Sequence, residues 1–213
     1  MSSIVAPIFE VRPLAWQAPD PADFDALMLT SANAPRHAGA GLAGLTALRC
    51  YCVGEATAEA ARAAGFRDLR IGPSDGDTLL KITAGDGVRK LLHLSGRDHV
   101  GLEHPDIRIT RIPVYAADPL DHLPVEAVRA LEAGALALLH SPRAARIFAG
   151  LVDAVGLERA RIRIAAISRA AEAAAGPGWA LSAAAAAPRD EALLELAAEL
   201  CNKGAVSGTG LAQ

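Results

Sequence analysis

The sequence contains few of the residues that mark membrane-spanning, disulfide-bonded or nucleic-acid-binding proteins. Its three cysteines among 213 residues are too few for a disulfide framework. No apolar run reaches the ~18 residues that a spanning helix needs, and the start has neither the basic region nor the apolar stretch of a signal peptide. The net charge of −3 gives no electrostatic footprint for nucleic acid or an anionic membrane. These absences favour a protein of the reducing cytoplasm with neither nucleic acid nor membrane as a partner.

Apolar residues, above all alanine, are abundant. They make up 52% of the chain against 21% charged and 4% aromatic residues, which favours a folded protein with a sizeable core. Short apolar runs alternate with alanine-rich helical stretches, a pattern typical of a parallel sheet with crossover helices. The chain therefore predicts a doubly wound α/β architecture. The clearest predicted strands lie at residues 26–30, 49–53, 90–94, 135–139 and 162–167.

Two extended, proline-containing segments interrupt this alternation. Proline within a strand indicates a sheet edge or a linker, because it cannot donate to a strand ladder. The two segments bracket about 100 residues, and the chain length suits two domains of that size. We predict domains at 14–110 and 118–203, linker strands at 6–12 and 111–117 that are able to pair with each other, and a flexible tail at 204–213.

An internal repeat supports two domains of one fold. Three motifs recur in the same order, which indicates two similar units. The first domain continues with a strand and polar loop at 92–98 that the second does not match. A second domain of the same kind would thus lack its N-terminal βα unit, and we expect either a natural start upstream of Met1 or a degenerate copy with an open sheet edge. The paired motifs are Leu27–Arg36 with Leu136–Arg146, Val53–Ala61 with Ile167–Ala174, and Gly72–Leu80 with Ala187–Leu194.

A small residue follows most of the predicted strands, at the point where a helix begins. Such loops present backbone N–H groups and a helix dipole to anions, and doubly wound sheets bind ligands at the carboxyl ends of their strands. Two domains of this kind facing each other would form a cleft for a ligand with many carboxylates. For the serines, the alternative is an ordinary helix N-cap. The residues in this position are Ser31, Gly54, Gly96, Ser141 and Ser168.

Four arginines lie in or just after these loops. A guanidinium group there can bind a carboxylate with two parallel hydrogen bonds. The alternative for each of them is a solvated surface charge. They are Arg36, Arg97, Arg143 and Arg169.

Motifs for other chemistries fail on their context. Gly39–Gly44 matches a dinucleotide-binding pattern but does not directly follow a strand. Cys50 and Cys52 share one face of a strand with no second ligand pair, which favours buried free thiols over a metal site. The sequence has no H-E-x-x-H motif, and neither Ser31 nor Ser141 lies in a G-x-S-x-G motif, so nothing marks a zinc ligand pair or either of these serines as a nucleophile. We therefore expect neither a metal site nor a nucleotide site from these motifs.

Six segments, in order and at compatible spacings, resemble the uroporphyrinogen-III synthase family over nearly the whole chain. They are Pro7–Glu10, Leu29–Ala34, Val53–Ala60, Leu94–Asp98, Ile112–Tyr115 and His140–Arg143. The resemblance implies two α/β domains on a two-stranded linker, with a linear tetrapyrrole held between them largely by backbone amides. It also implies a monomer that needs no metal or cofactor.

The resemblance implies a cyclising carbon–oxygen lyase, a hydro-lyase of heme biosynthesis. Such an enzyme closes hydroxymethylbilane into uroporphyrinogen III and inverts the last pyrrole ring. Tyr115 lies where the family has a tyrosine thought to assist departure of the hydroxyl group, and Thr57 matches the threonine of the Val-Gly-x-x-Thr motif. Together with the strand-end residues, this predicts substrate contacts from Thr30, Ser31, Asn33, Gly54, Thr57, Gly96, Arg97, Ser141, Arg143 and Ser168.

Two departures from the family keep other functions open. Family members usually begin with a strand that ends in Thr-Arg-Pro, and residues 167–171, apart from Ser168, lack the hydroxyl groups common after the matching strand of the second domain. One alternative is a catalytically silent or truncated tetrapyrrole-binding or scaffold protein of the same fold. A further alternative is an unrelated two-domain α/β protein that binds small anionic metabolites.

Overall fold

A computed structural model describes residues 3–72, 75–98 and 101–206, with side chains up to residue 202. The chain forms two compact units, one of residues Glu10–Asp118 and one of Met1–Phe9 with Pro119–Gln213. Each unit contains a parallel-rich sheet, of six strands in the first and three in the second. We call them the six-stranded unit and the three-stranded unit. The predicted α/β class, with a smaller second sheet, is confirmed.

The six-stranded sheet has the strand order β1-β6-β5-β2-β3-β4. Strand β2 pairs in parallel with β3 and β5, and β5 pairs in parallel with β6. Helices α1, α2 and α3 follow β2, β3 and β4. The bounds are β1 Phe9–Pro13, β2 Ala26–Leu29, α1 Asn33–His37, β3 Arg49–Val53, α2 Gly54–Ala63, β4 Leu69–Gly72, α3 Gly76–Gly85, β5 Lys90–Gly96 and β6 Arg108–Pro119.

The centre of this sheet is buried on both faces. Leu27 and Leu29 of β2 pack into one hydrophobic cluster, and Met28 between them packs into another on the opposite face. Because successive side chains of a strand point to opposite faces, an unbroken apolar run such as that of β2 is stable only when both faces are covered. The buried strand β2 ends at Leu29, and Thr30 follows at its carboxyl end.

The three-stranded sheet has the order β7-β8-β9, and all its pairs are parallel. Its core lies between the sheet and helices α5 and α6, where Phe148, Leu151 and Ile164 are buried. Within the described residues β7 pairs only with β8, whereas its repeat counterpart β2 pairs on both sides. The bounds are α4 Val125–Glu132, β7 Leu136–Leu139, α5 Pro142–Ala154, β8 Arg163–Ala166, α6 Arg169–Ala175, β9 Leu181–Ala184 and α7 Asp190–Val206.

The predicted domain boundaries, linkers and tail remain predictions. Residues 111–117 form part of β6, which pairs with β5, and residues 9–12 form most of β1 beside β6. Helix α7 includes residues 204–206 of the predicted tail, and residues 207–213 lie outside the described part. Residues 73 and 74 of the third repeat motif also lie outside it. No helix in the described ranges is both long and apolar enough to cross a membrane.

Two glycines test where helix α5 lies and where it ends. Gly150 is exposed within this helix, and a Cβ added there meets no other atom. Since glycine costs a helix roughly 0.5–1 kcal/mol relative to alanine, Gly150→Ala should stabilise the protein by about that amount. Gly156 just beyond the helix has φ +77°, so Gly156→Ala should instead destabilise it. Urea unfolding of both variants measures the two signs, and equal signs would contradict the assignment.

Candidate functional site

The predicted site residues of the six-stranded unit lie at one edge of its sheet. Strands β6, β5, β2 and β3 are neighbours and run in parallel, so their carboxyl ends meet at the same edge. Thr30 follows β2, Gly54 follows β3, and Gly96 ends β5 opposite Tyr115 of β6. The structure thus groups four residues that are far apart in sequence at the edge where parallel sheets bind ligands.

Tyr115 occupies this edge because the strand register slips beside it. Ser95 pairs with Pro113 but Gly96 pairs with Tyr115, so Val114 is an additional residue in β6. A bulge of this kind redirects the side chain that follows it. The half-buried Tyr115 ring lies directly against Gly96, where an added Cβ would be 2.8 Å from Tyr115 Cζ and 2.9 Å from its Oη. Only glycine at position 96 leaves room for the ring in this position.

His37 is a second neighbour of the Tyr115 ring. It ends helix α1, and its ring centroid lies 6.3 Å from that of Tyr115 with 36° between the planes. Aromatic pairs at such separations contribute about 0.5–1.5 kcal/mol beyond their buried area. His37 was not predicted as a site residue, although it lies close in sequence to the predicted residues of the loop after β2.

Thr30 is held by another histidine, which was not predicted as a site residue. His93 is fully buried in β5, and its Nε2 lies 3.1 Å from Thr30 Oγ1. The sequence does mark this residue, because His93 is the one histidine within the apolar run of β5. Next to Thr30, Ser31 Oγ accepts a hydrogen bond from the Asn33 N–H at 3.2 Å, so this loop is ordered by its own side chains.

The two predicted residues of helix α2 differ in placement. Gly54 begins the helix with φ +72°, a left-handed conformation that favours glycine, and a Cβ there would meet no other atom. Thr57 is largely buried, with only 5% of its surface exposed. The structure therefore places Gly54 at the sheet edge and leaves little of Thr57 exposed.

Arg97 belongs to an ion-pair network. Its guanidinium lies 3.1 Å from Asp98 Oδ1 and 2.5 Å from Asp118 Oδ1, and Arg12 lies 2.6 Å from Asp118. The hydrogen bonds that Arg97 donates to Asp98 and Asp118 raise the pKa of Arg97, and those that Asp118 accepts from Arg97 and Arg12 lower the pKa of Asp118. A substrate carboxylate at Arg97 would have to compete with two carboxylates already present.

In the three-stranded unit, the predicted serines are helix N-caps. Ser141 Oγ accepts the Ala144 N–H at 3.0 Å at the start of α5, and Ser168 Oγ accepts the Ala171 N–H at 3.2 Å at the start of α6. Both follow neighbouring parallel strands and so lie at one edge of this sheet. The hydroxyl oxygens of both serines therefore act as helix caps, which was the alternative stated for them from the sequence.

Two of the loop arginines already have neighbours within their own units. The Arg143 guanidinium lies 4.8 Å from the centroid of the Phe9 ring, within the range of a cation–π contact. Arg169 Nη1 lies 3.6 Å from Glu172 Oε2, one turn further along α6.

Removal of the Ser141 cap has a defined cost. Ser141→Ala should destabilise the protein by about 1 kcal/mol, because the Ala144 N–H loses its acceptor. Ser141→Asp keeps an acceptor at this position and should retain stability. Urea unfolding compares the three proteins, and an unchanged stability of Ser141→Ala would show that the cap contributes nothing.

The motifs set aside in the sequence have structural roles. Gly41 of the glycine pattern lies against Trp16, whose Cζ2 would be 2.8 Å from an added Cβ, and the Trp16 indole donates to Ala38 O at 2.7 Å. Cys50 and Cys52 are buried with their sulfurs 3.6 Å apart, and burial raises the pKa of Cys50. In the described ranges, no three His, Cys, Asp or Glu side chains are grouped in a way that would hold a metal ion.

Comparisons with known proteins support one family. The family model described as uroporphyrinogen-III synthase HemD matches residues 1–195. The crystal structure of uroporphyrinogen-III synthetase from Helicobacter pylori 26695 is similar with a TM-score of 0.64, at 21% identity and 91% coverage of both chains. At that identity the likeness establishes the fold.

Two structures from the extremely thermophilic bacterium Thermus thermophilus are more distant. The wild-type uroporphyrinogen III synthase has a TM-score of 0.41 at 17% identity, covering 91% of this chain and 86% of that one. A mutant form has a TM-score of 0.47 at 14% identity, covering 92% and 88%. No curated protein matches the sequence.

Proposed function

The chain belongs to the uroporphyrinogen-III synthase family, and we propose that it closes hydroxymethylbilane into uroporphyrinogen III with inversion of the last pyrrole ring. The family match confirms the resemblance drawn from the sequence motifs. Support for activity comes from one observation, the placement of Tyr115 on Gly96 at the carboxyl edge of the six-stranded sheet. This is the tyrosine that the resemblance assigns to departure of the hydroxyl group.

The reaction needs orientation more than strong acid–base chemistry. The hydroxyl group leaves as water, the resulting azafulvene cation forms a spiro intermediate, and this fragments and recloses with the last ring inverted. Because the cation forms readily, the task of the protein is to favour inverted closure over direct closure. Positioning of reactive ends in one geometry accounts for large rate effects in such reactions.

We assign Tyr115 a hydrogen bond to the departing oxygen. A phenolic O–H donates a hydrogen bond, and such a bond strengthens as negative charge develops on the leaving oxygen. The Gly96 contact and the His37 ring limit the positions that the Tyr115 ring can adopt. A restrained hydroxyl loses little freedom when the substrate binds, which is the advantage of preorganised donors.

The substrate carboxylates require several donors. We assign them to the strand-end groups of both units, with backbone N–H groups supplying most of the hydrogen bonds. Hydroxyl contacts that use only the O–H are compatible with the capping roles of Ser141 and Ser168, because a capping oxygen still has its own proton to donate. The proposed contacts are Thr30, Ser31, Asn33, Gly54, Thr57, Gly96, Arg97, Ser141, Arg143 and Ser168.

The setting of the reaction follows from the same proposal. We expect a monomer that acts in the cytoplasm without metal or cofactor, with hydroxymethylbilane and uroporphyrinogen III as its ligands. Cys50 and Cys52 are buried free thiols and Cys201 is a half-buried one, which suits a reducing compartment.

A catalytically silent tetrapyrrole-binding protein is the second candidate. The engagement of Arg97 by Asp98 and Asp118 favours it, because that arginine is already neutralised. Thermal unfolding with and without uroporphyrinogen III, run beside a turnover assay, separates the possibilities. Ligand at 100 times its Kd should stabilise the fold by about 2.7 kcal/mol. Stabilisation without turnover would support the silent protein. A protein that shows neither stabilisation nor turnover would contradict both candidate functions.

A further inference from the structure

Arg111 makes three hydrogen bonds to the end of strand β5. Its Nε donates to Ser95 Oγ at 2.8 Å, and its Nη2 donates to the carbonyl oxygens of Gly96 and Arg97, each at 2.7 Å. Arg111 lies on β6, four residues before Tyr115. One guanidinium therefore holds three consecutive residues of the loop that supports the Tyr115 ring.

The peptide between Gly96 and Arg97 is held at both of its polar atoms. Its carbonyl accepts from Arg111, and its N–H donates to Tyr115 O at 2.8 Å. A peptide group is planar, so fixing the direction of its carbonyl also fixes the direction of its N–H. Arg111 and the Tyr115 backbone thereby set the orientation of this peptide together, and with it the position of the Gly96 Cα.

The position of Gly96 decides where the Tyr115 hydroxyl can lie. The ring is so close to Gly96 that an added Cβ would be 3.0 Å or less from Cζ, Oη and Cε2 of Tyr115. Movement of Gly96 by a few tenths of an ångström would consequently push the ring or leave a gap beneath it. Arg111 restrains the carbonyl oxygens of Gly96 and Arg97, and Ser95 Oγ donates a further hydrogen bond to Gly96 O at 3.1 Å.

We propose that Arg111 is a positioning residue that holds the end of β5 and so fixes the Tyr115 hydroxyl for the reaction. The kinetic part of this inference rests on the proposed function, and the structural part does not. The planar guanidinium of arginine reaches the Ser95 hydroxyl and the carbonyl oxygens of Gly96 and Arg97 at once, whereas the single ammonium of lysine cannot reproduce that geometry. Arg111→Lys should therefore behave as a partial defect and not as a conservative change.

The structural part is tested by nuclear magnetic resonance on protein with labelled tyrosine. The chain has only two tyrosines, so Tyr51→Phe leaves Tyr115 as the single source of ring signals. In that background we expect a cross-relaxation signal between the Tyr115 ring protons and the Gly96 Hα protons. Arg111→Met should weaken this signal at least about twofold, and Arg108→Met, an exposed arginine of the same strand, should leave it unchanged. An unchanged signal in folded Arg111→Met protein would overturn the proposal.

The kinetic part is tested by a double-mutant cycle. Arg111→Met should lower kcat about tenfold, Arg111→Lys by less, and Arg108→Met not at all. In the Tyr115→Phe background, Arg111→Met should cost less than about twofold more, because its effect passes through the tyrosine hydroxyl. If the kcat of the double variant fell by the product of the two single fold-losses, the proposal would be overturned. Wild-type protein without turnover would contradict the proposed function alone, since the resonance signal still decides whether Arg111 positions Tyr115.

Discussion

Tyr115→Phe is expected to lower kcat by about ten- to a hundredfold and to leave the fold intact. The substitution removes one hydroxyl and keeps the ring against Gly96. Donation to the leaving oxygen strengthens in the transition state, so its loss should appear in kcat more than in KM. General acid catalysis contributes typically 10²–10⁴-fold, and a readily formed cation places this effect at or below the low end of that range. A tenfold loss corresponds to about 1.4 kcal/mol of transition-state stabilisation.

The other tyrosine supplies the matched control. Tyr51 is buried in β3, and its hydroxyl donates to Asp86 Oδ2 at 2.9 Å. Tyr51→Phe should cost about 1.5–3 kcal/mol of stability, as for a hydrogen bond to a charged group, and should leave kcat unchanged. Steady-state kinetics and urea unfolding of both variants give the two patterns. Equal kcat for Tyr115→Phe and wild type would rule out a role for the Tyr115 hydroxyl.

Gly96→Ala is expected to cost as much activity as the loss of the tyrosine hydroxyl. The new methyl group would lie 2.8 Å from Tyr115 Cζ, a distance that forces the ring to move. The ring is the movable partner, so it should swing away and carry the hydroxyl out of position. We expect kcat to fall at least about tenfold, since small displacements of a catalytic group are costly. Overpacking of this kind should reduce stability by about 1–3 kcal/mol.

A glycine nearby in the sequence controls for the methyl group itself. A Cβ added at Gly101 meets no other atom, so Gly101→Ala should keep both activity and stability. Combining Gly96→Ala with Tyr115→Phe should be no slower than Tyr115→Phe alone, because the displaced ring then has no hydroxyl to misplace. A Gly96→Ala protein with wild-type kcat would show that the hydroxyl position is not critical.

The buried parallel strands were predictable from the sequence. The predicted strand at 49–53 coincides with β3, and the predicted strands at 26–30 and 162–167 exceed β2 and β8 by one or two residues. These strands are apolar on both faces and bounded by small residues, which gives an unambiguous signal. Strands β4 and β9 were not selected. Strand β4 is an edge strand that contains Arg70, and β9 lies in an alanine-rich run that favours helix on intrinsic propensity.

The site was predictable only in part, because side-chain contacts depend on register. Sequence order and loop position were enough to select Gly96 and Tyr115. Their direct contact follows from the bulge at Val114, which no local pattern in β6 reveals. Arg111 and His37 are distant in sequence from Gly96 and Tyr115, respectively, so only the folded sheet brings them together.

The isomer composition of the product tests the central claim most directly. Hydroxymethylbilane closes spontaneously to the type I isomer, so the type III fraction counts only those molecules that the protein has directed. Wild-type protein should give predominantly the type III isomer, with a fraction that rises with protein concentration, and Tyr115→Phe should lower that fraction at equal concentration. Type I product alone, at every concentration of folded wild-type protein, would contradict the assignment of this chain as an active uroporphyrinogen-III synthase.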